Sequence, residues 1–391
     1  MIKNIFDLSK ENQGEFLDIL NKRDDTESIR IKRYLEMKDL SRDKESPLFE
    51  IIEKVRRIEG LKDFDEIKVP EVVGVKETFD LFNFPENHPA RSKSDTYYID
   101  EQNILRTHTT VMWYYYFNLP EVIKKLNSSG EVGAICYGKV YRKDEIDRRH
   151  MNIFHQIDGL YVCLKDKHEI NQDDLKKVLS DVAIGVFGEK IKYRFNPDTF
   201  PYTHSSLEME VDKRSLVNEE KDTKEEWVEV LGAGIVEPKV LEKLGIDSDK
   251  YNGWAFGFGL ERLAIISMSL PDIRLLWSDD KRVKRQLKLG NIFTEVSKYP
   301  SIVRDISFVV KNDFIPNNYF DLVRDLLGDL AEEVLLIDKY ENEEKFGKGN
   351  ISYAYRVVYR SLDRTLTDEE INKIHKKLEE STISVFDAKI R

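Results

Sequence analysis

In the segment SPLFEIIEKVRRIEG, apolar residues recur at Leu48, Ile51, Ile52, Val55 and Ile58. That spacing places them on one face of a helix. Ser46 suits its N-cap, Pro47 its first position and Gly60 its exit. Residues 1–45 are highly charged with weak helical patterning, and read as a variable N-terminal extension to a domain that opens at 46. Beyond the helix the period shortens to two. Strand-like runs follow at YYID, AICYGKVYRK, NIFHQIDGLYVC, KIKYRF, SLEMEV and WVEVLGAG, and a helical pattern, DDLKKVLSDVAIGVFG, interrupts them. The charged stretch VDKRSLVNEEKDTKEE reads as a surface turn or hairpin insertion. Strands mostly in sequence, with few helices between them, predict an α+β domain around an antiparallel sheet over 46–290.

The texture changes after LKLGNIFTEVSKYPSIV. IVRDISFVVK reads as a strand, NNYFDLVRDLLGDLAEE as a helix, and VLLIDKYE and NISYAYRVVYR as strands. TDEEINKIHKKLEE then reads as a helix with a capping box from Thr367 to Glu370, and ISVFDAKI as a last strand. The order is βαββαβ, a ferredoxin-like unit over 297–391.

Chemistry concentrates in two places. In AICYGKVYRKDEIDRRHMNIFHQIDG, alternation gives two strands joined by a polar loop. Gly138, Val140 and Arg142 share one face of the first strand. Phe154, Gln156 and Asp158 share one face of the second, with Ile153, His155 and Ile157 on the other. If the two faces coincide, one surface presents a guanidinium, an aromatic ring, an amide and a carboxylate. The alternative is a half-exposed hairpin with ordinary polar residues. In GWAFGFGLERLAII, Arg262 falls in the first turn of a helix, where the positive end of the helix dipole disfavours a cation unless an anion is near. Taken alone it reads more readily as a surface arginine on a buried helix. Gly257 and Gly259 do not make a dinucleotide fingerprint, because Arg262 stands where the third glycine belongs, and no GxxxxGK[ST] loop is present. Any bound phosphate must therefore be held by arginines on a sheet and a helix.

The formal net charge of −11 over 391 residues excludes a chain-wide basic footprint for nucleic acid, so such contacts must be local. Two cysteines, Cys136 and Cys163, with no CxxC, argue against a disulfide framework and a cysteine zinc site. No apolar run approaches the ~20 residues of a membrane span. The start, MIKNIFDLSKENQGEFLDIL, fits neither a signal peptide nor an Arg-rich import segment. The expected location is the cytoplasm, or the mitochondrial matrix if a presequence has been removed.

GKVYRKDEIDRRHMNIFHQ resembles motif 2, and GFGLERLA motif 3, of class II aminoacyl-tRNA synthetases. HPARSKSDTYY, LRTHT, FHQIDG, FPYTHSSLEMEV, EWVEVLGAG, GWAFGFGLERLAI and PDIRLLWSDDKRVKRQ resemble the phenylalanine-specific branch. The ferredoxin-like unit resembles that branch's anticodon-binding domain. Both on one chain is the layout of the monomeric, organellar type, which FPYTHSS also resembles. The resemblance spans about 46–391.

It implies ATP, Mg²⁺, phenylalanine and tRNA as ligands, and a monomer. Arg142 would meet the α-phosphate and Arg262 the γ-phosphate, with His150 assisting, Phe154 stacking on adenine and Glu229 contacting Mg²⁺. His108, Thr110, Gln156 and Asp158 would hold the amino and carboxylate ends of the amino acid. Phe200 and Tyr202 would pack on its ring, and Ala255 would close the far end. Three positions depart from the family pattern: Asp158 for the usual Glu, Tyr202 for a second Phe, and Trp113 where Gln is frequent. They leave open a paralogue that activates another aromatic amino acid. A non-catalytic tRNA-binding protein on a synthetase scaffold is the other alternative, which would be marked by loss of the motif arginines. YRVVYRSLDR and DAKIR are the local basic stretches available for RNA.

Overall fold

Ten strands lie in the first part of the chain, among the residues described: β1 (Ile5–Asp7), β2 (Asp65–Lys68), β3 (Val72–Gly74), β4 (Asn103–Leu105), β5 (Glu131–Tyr141), β6 (Ile153–Leu164), β7 (Tyr193–Pro197), β8 (Thr203–Asp212), β9 (Trp227–Val236) and β10 (Tyr251–Gly259). The structure is a computed structural model and describes residues 3–144, 147–217 and 225–391. Eight strands form one sheet in the order β1-β2-β5-β6-β10-β9-β8-β7. From β5 to β7 all neighbours are antiparallel, as the strand-rich pattern predicts. The edge differs, since β2 joins β5 in parallel and β1 joins β2 in parallel.

Residues 3–45 correct the reading of a separate extension. They belong to the compact unit that ends at Phe293. β1 is a strand of the main sheet, and Leu20, Ile31, Tyr34 and Leu40 are buried. Lys139, almost wholly buried on β5, donates from Nζ to the carbonyls of Leu35 (3.0 Å) and Met37 (2.7 Å). Charged residues interleave its buried apolar positions, Leu20, Ile31 and Tyr34, which pack with Val72, Leu105, Tyr141 and Ile153, and this hid the segment from a periodicity reading.

The helix Pro47–Val55 starts where expected, with Ser46 Oγ accepting from Leu48 N at 3.2 Å. Leu48, Ile51, Ile52 and Val55 are its buried face. It ends at Val55, before Gly60, so Ile58 lies outside it. YYID is not a strand; Tyr98 makes only an isolated bridge to Ile104. Within VDKRSLVNEEKDTKEE, residues 218–224 lie outside the described residues, as do residues 145–146 of the polar loop between β5 and β6. The flanks of the former are antiparallel partners, Asp212 facing Trp227, as a hairpin requires. Phe79, Phe82, Trp113 and Tyr116 pack in one cluster with Ala134, Cys136, Leu160, Val162 and Ala255 of the sheet. No helix among the described residues is long and apolar enough to cross a membrane.

The second unit runs from Thr294 to Arg391. It consists of β11 (Ile302–Lys311), the helix Pro316–Leu327, β12 (Ala331–Glu341), β13 (Asn350–Tyr359), the helix Asp368–Phe386 and β14 (Lys389–Ile390), in sheet order β12-β13-β11-β14. This is the βαββαβ pattern. Thr367 Oγ1 caps the second helix by accepting from Glu370 N at 3.3 Å. The last strand is shorter than expected, because the helix continues through Ile383–Phe386. The alternation of Ile383 and Val385 suggested a strand, yet both are exposed on the helix, while Phe386 packs edge-on against Phe314 at 5.1 Å.

Candidate active site

Register decides whether the two polar faces coincide. Across β5 and β6, Cys136 faces Asp158, Gly138 faces Gln156 and Val140 faces Phe154. Residues directly opposite in an antiparallel pair share a face. Phe154, Gln156 and Asp158 therefore stand on the surface that carries Gly138 and Val140. Just past β5, Arg142 N donates to Asn152 O at 3.0 Å, which keeps Arg142 beside this surface. Its Nε donates to Thr107 O at 3.0 Å, and its Cζ lies 5.1 Å from the centre of the Phe154 ring. On the other side of β6, Gly257 of β10 faces Asp158. A Cβ there would sit 2.9 Å from Asp158 Oδ1, so only glycine leaves the carboxylate room.

This surface is the floor of a cavity of about 1130 Å³. His108, Thr110, Arg142, His150, Phe154, Gln156, Asp158, Phe200, Tyr202, Glu229, Ala255 and Arg262 all line it. Pockets for drug-sized ligands measure ~300–1,000 Å³, so this one has room for two small substrates side by side.

One end is lined by aromatic rings. Tyr202 stands edge-on to Phe82 (5.5 Å) and Trp113 (5.8 Å), and stacks with Phe200 at 5.9 Å. Gly232 opens the space for Phe200, whose Cζ would lie 2.9 Å from a Cβ at that position. Ala255, buried on β10, presents only a methyl group. Beside this aromatic box lies the Asp158 carboxylate, 5 % exposed. It accepts from the hydroxyls of Thr109 and Thr110, the latter at 2.6 Å. Burial pushes its pKa up to about 6 despite these bonds. His108 is also buried; desolvation, and then the Arg142 charge, hold its pKa down to about 3, so its imidazole is neutral. Among the described residues, His108 Nδ1 and Nε2, Trp113 Nε1 and Gln156 Oε1 are buried without a hydrogen-bond partner. Such orphans are rare and need a reason. Unpartnered buried atoms occur elsewhere too, at Tyr319 and His375 for example, but these four belong to residues that line one cavity, where a ligand can meet them.

The other end is exposed and carries the Arg262 guanidinium. Arg262 is the third residue of the helix Leu260–Met268. Its Nη1 lies 3.3 Å from Glu229 Oε1 and donates to the Glu229 carbonyl at 3.2 Å. His150 Nδ1 lies 2.9 Å from Asp147 Oδ2 in the polar loop. Among the described residues no group of three or more His, Cys, Asp or Glu could hold a metal. Glu229, beside Arg262 in a lining that also includes Glu226 and Asp144, fits an ion that arrives on phosphate oxygens, since Mg²⁺ is bound by one or two carboxylates plus substrate phosphates.

Sequence reasoning missed the groups behind the floor. Thr109 holds Asp158. On the opposite face of β6, His155 and Glu261 form a buried pair, with Nδ1 to Oε1 at 2.6 Å. The available signal was a histidine between Ile153 and Ile157 on an otherwise apolar face.

Residues 31–287 match the tRNA synthetases class II core domain (F), and residues 297–391 match the ferredoxin-fold anticodon binding domain. The chain is 38% identical over 331 residues to the chloroplastic/mitochondrial phenylalanine–tRNA ligase of Arabidopsis thaliana, covering 82% of this chain and 71% of that protein. The chain belongs to the class II phenylalanine–tRNA ligase family. Its similarity to the mitochondrial phenylalanine–tRNA ligase of Mus musculus is 33% identity over 357 residues, covering 82% and 73%. The phenylalanine–tRNA ligase alpha subunit of Staphylococcus carnosus is 37% identical over 275 residues, covering 69% of this chain and 74% of that one. The core and the anticodon-type unit of this phenylalanine–tRNA ligase family member thus stand on a single chain. In the second unit, the basic run YRVVYRSLDR is not a free cationic patch. Arg356 pairs with Asp305 at 2.8 Å, Arg360 with Glu332 at 2.9 Å and Arg364 with Glu370 at 2.5 Å.

Proposed function

We propose that this chain activates phenylalanine with ATP and transfers it to the 3′ end of its tRNA. The carrying observation is the two-ended cavity: an aromatic box with orphaned polar atoms and a buried carboxylate at one end, Arg142 near enough for its charge to act on His108 and Asp158, and the exposed Arg262 guanidinium at the other end. The ring of phenylalanine fits among Phe200, Tyr202 and Ala255. Its ammonium group fits beside Asp158, whose charge it would compensate. The neutral His108, with Thr110 and Gln156, is left for the polar end of the amino acid.

In the first step a carboxylate oxygen of phenylalanine attacks the α-phosphorus of ATP. An anhydride bond forms, the bond to the β-phosphate oxygen breaks, and pyrophosphate leaves. Negative charge spreads over phosphate oxygens, so no protein acid or base is needed. Fixed guanidinium groups stabilise it at little reorganisation cost. Arg142 is assigned to the α-phosphate, next to Phe154 on which adenine stacks; Arg262 and His150 are assigned to the outer phosphates. Mg²⁺, when bound to the phosphates, would neutralise charge there, with Glu229 as its protein contact. In the second step a terminal ribose hydroxyl of tRNA, by family resemblance the 2′-hydroxyl, attacks the activated carbonyl and AMP leaves.

The one-chain layout supports a monomer. The relatives whose names place them in mitochondria and chloroplasts weigh against the expected cytoplasmic location. The test is ATP–pyrophosphate exchange across the twenty amino acids. Phenylalanine should support exchange without tRNA, and Arg142→Ala or Arg262→Ala should each lose roughly two orders of magnitude or more. Exchange with another amino acid instead would establish the paralogue reading, and near-normal exchange in either arginine variant would refute the site assignment.

A further inference from the structure

Arg262 is exposed and half-engaged by a surface carboxylate, yet the proposed chemistry needs its guanidinium in a fixed place. What fixes the helix that carries it lies on the hidden side of the sheet. Glu261, the preceding residue, is 3 % exposed. Its carboxylate receives the backbone N–H of His155 at 2.8 Å and faces His155 Nδ1 at 2.6 Å. The imidazole is wholly buried, under the Trp277 ring at 5.6 Å. On its far side, Leu40 N donates to His155 Nε2 at 3.0 Å. Asp39 Oδ1 also lies 3.4 Å from Nε2, but the Leu40 N–H is nearer and can only donate, so Nε2 carries the lone pair and the proton is on Nδ1, aimed at Glu261. One side chain therefore ties the helix Leu260–Met268 to β6 and to the turn Leu40–Arg42. Without the Nδ1–H, the backbone N–H of residue 155 still reaches both Glu261 oxygens (3.0 and 2.8 Å), but Oε1 loses its shorter donor, and a buried carboxylate short of a donor relaxes or protonates. Relaxation of Glu261 would shift the first turn of the helix Leu260–Met268, and with it the next side chain.

We infer that His155 is a positioning residue for the nucleotide end of the site: through the Nδ1–H bond to Glu261 it sets where Arg262 points. This rests on the reading of Arg262 as a phosphate contact. It assigns a kinetic role to a residue that touches no substrate, and makes the segment around Leu40 part of the machinery rather than an appendage.

The test compares H155N with H155Q in the full chain. An asparagine amide reaches the place of Nδ1 and keeps a donor for Glu261. A glutamine amide reaches the place of Nε2 and keeps only the Leu40 side. In pyrophosphate exchange, H155Q should lower kcat/KM for ATP by about 10- to 100-fold, the range for a lost hydrogen bond to a buried charge, with KM for phenylalanine unchanged. H155N should recover most of that loss. In the Arg262→Ala background, H155Q should add nothing, since it acts through the missing side chain. Thermal unfolding of both variants is followed alongside. If ATP kinetics track lost stability equally in both, or KM for phenylalanine rises as much as that for ATP, or the effect adds to that of Arg262→Ala, the positioning role is wrong. Normal ATP kinetics in H155Q while Arg262→Ala is inactive overturns this inference alone. Normal exchange by Arg262→Ala overturns the phosphate reading and this inference with it.

Discussion

Asp158→Asn should make the ligand-free protein more stable and a worse enzyme. In the folded chain the Asp158 carboxyl titrates at about 6, against 3.8 for an ordinary aspartate, because burial disfavours its charge more than the two threonine hydroxyls and Arg142 favour it. A folded pKa above the unfolded one means that the folded state binds the proton more tightly. The stabilisation is full below pH 3.8 and is lost as pH rises through 6. At about 1.4 kcal/mol per factor of ten, holding the bare charge at pH 7.5 costs up to about 3 kcal/mol. Asparagine removes the charge, but one threonine hydroxyl must turn from donor to acceptor. We therefore expect ~1–2 kcal/mol of the cost to be recovered, or roughly 2–5 °C in Tm of the first unit.

Substrate binding should move the other way. The phenylalanine ammonium loses its counter-charge, and KM for phenylalanine should rise about 10- to 100-fold with KM for ATP little changed. The same group predicts the pH dependence of the parent protein. Below pH 6 Asp158 is increasingly protonated, and phenylalanine affinity should fall about tenfold per pH unit, a dependence absent from the variant. The assay is denaturation of the ligand-free protein at pH 7.5 and pH 4.5, with exchange kinetics at both ends of that range. The stability gain should shrink at pH 4.5, where the parent carboxyl is neutral as well. A variant that is destabilised at pH 7.5, or one that keeps the parent KM for phenylalanine, would refute the reasoning.

Two further outcomes follow from the architecture. A chain ending at Phe293 keeps the whole cavity and all its lining residues, so it should retain phenylalanine-dependent exchange but lose tRNA charging; full charging would show that the second unit is not the tRNA reader. Ala255→Gly deepens the aromatic end by one methyl group, and should raise kcat/KM for para-chlorophenylalanine relative to phenylalanine within the ~1–3 kcal/mol that pockets discriminate, whereas an unmoved ratio would place the ring elsewhere.

The candidate site residues were legible because their chemistry violates the pattern around them. Gln156 and Asp158 stand on a strand where alternation demands a face, register sets that face against Gly138 and Cys136, and Arg142 follows one residue past the partner strand. The aromatic positions Phe200 and Tyr202 had no such signal and came only from the resemblance. What stayed hidden shares a physical cause: polar groups that satisfy one another across long sequence separations leave no period to read. Lys139 bonding to the carbonyls of residues 35 and 37 made a charged segment part of the fold. His155 bonding to Glu261 joined a strand to a helix more than a hundred residues away. β1 and β2 were missed because strands of three and four residues, one of them reading DEIK, carry too little alternation to register.

Arg262 raised the question of its anion, and the structure gives a first answer in Glu229. The pair is open to solvent, at 49 % and 54 % side-chain exposure, and so holds the guanidinium with no more than ~1 kcal/mol. A triphosphate offers more charge and paired oxygens that match the guanidinium fork. It should therefore displace the carboxylate, which is then free to face an ion carried by the phosphates. Glu229→Gln separates these two roles by their signs. Without divalent ions, the variant lacks the competitor at Arg262, and ATP binding should tighten by up to about fivefold. With Mg²⁺ present, the variant lacks the charged contact, and the exchange rate should fall below that of the parent. Binding of ATP in EDTA, set beside exchange in Mg²⁺, reads both. Loss in Mg²⁺ with no gain in EDTA would mean that Glu229 does not compete for Arg262. Gain in EDTA with no loss in Mg²⁺ would mean that the ion is held without it.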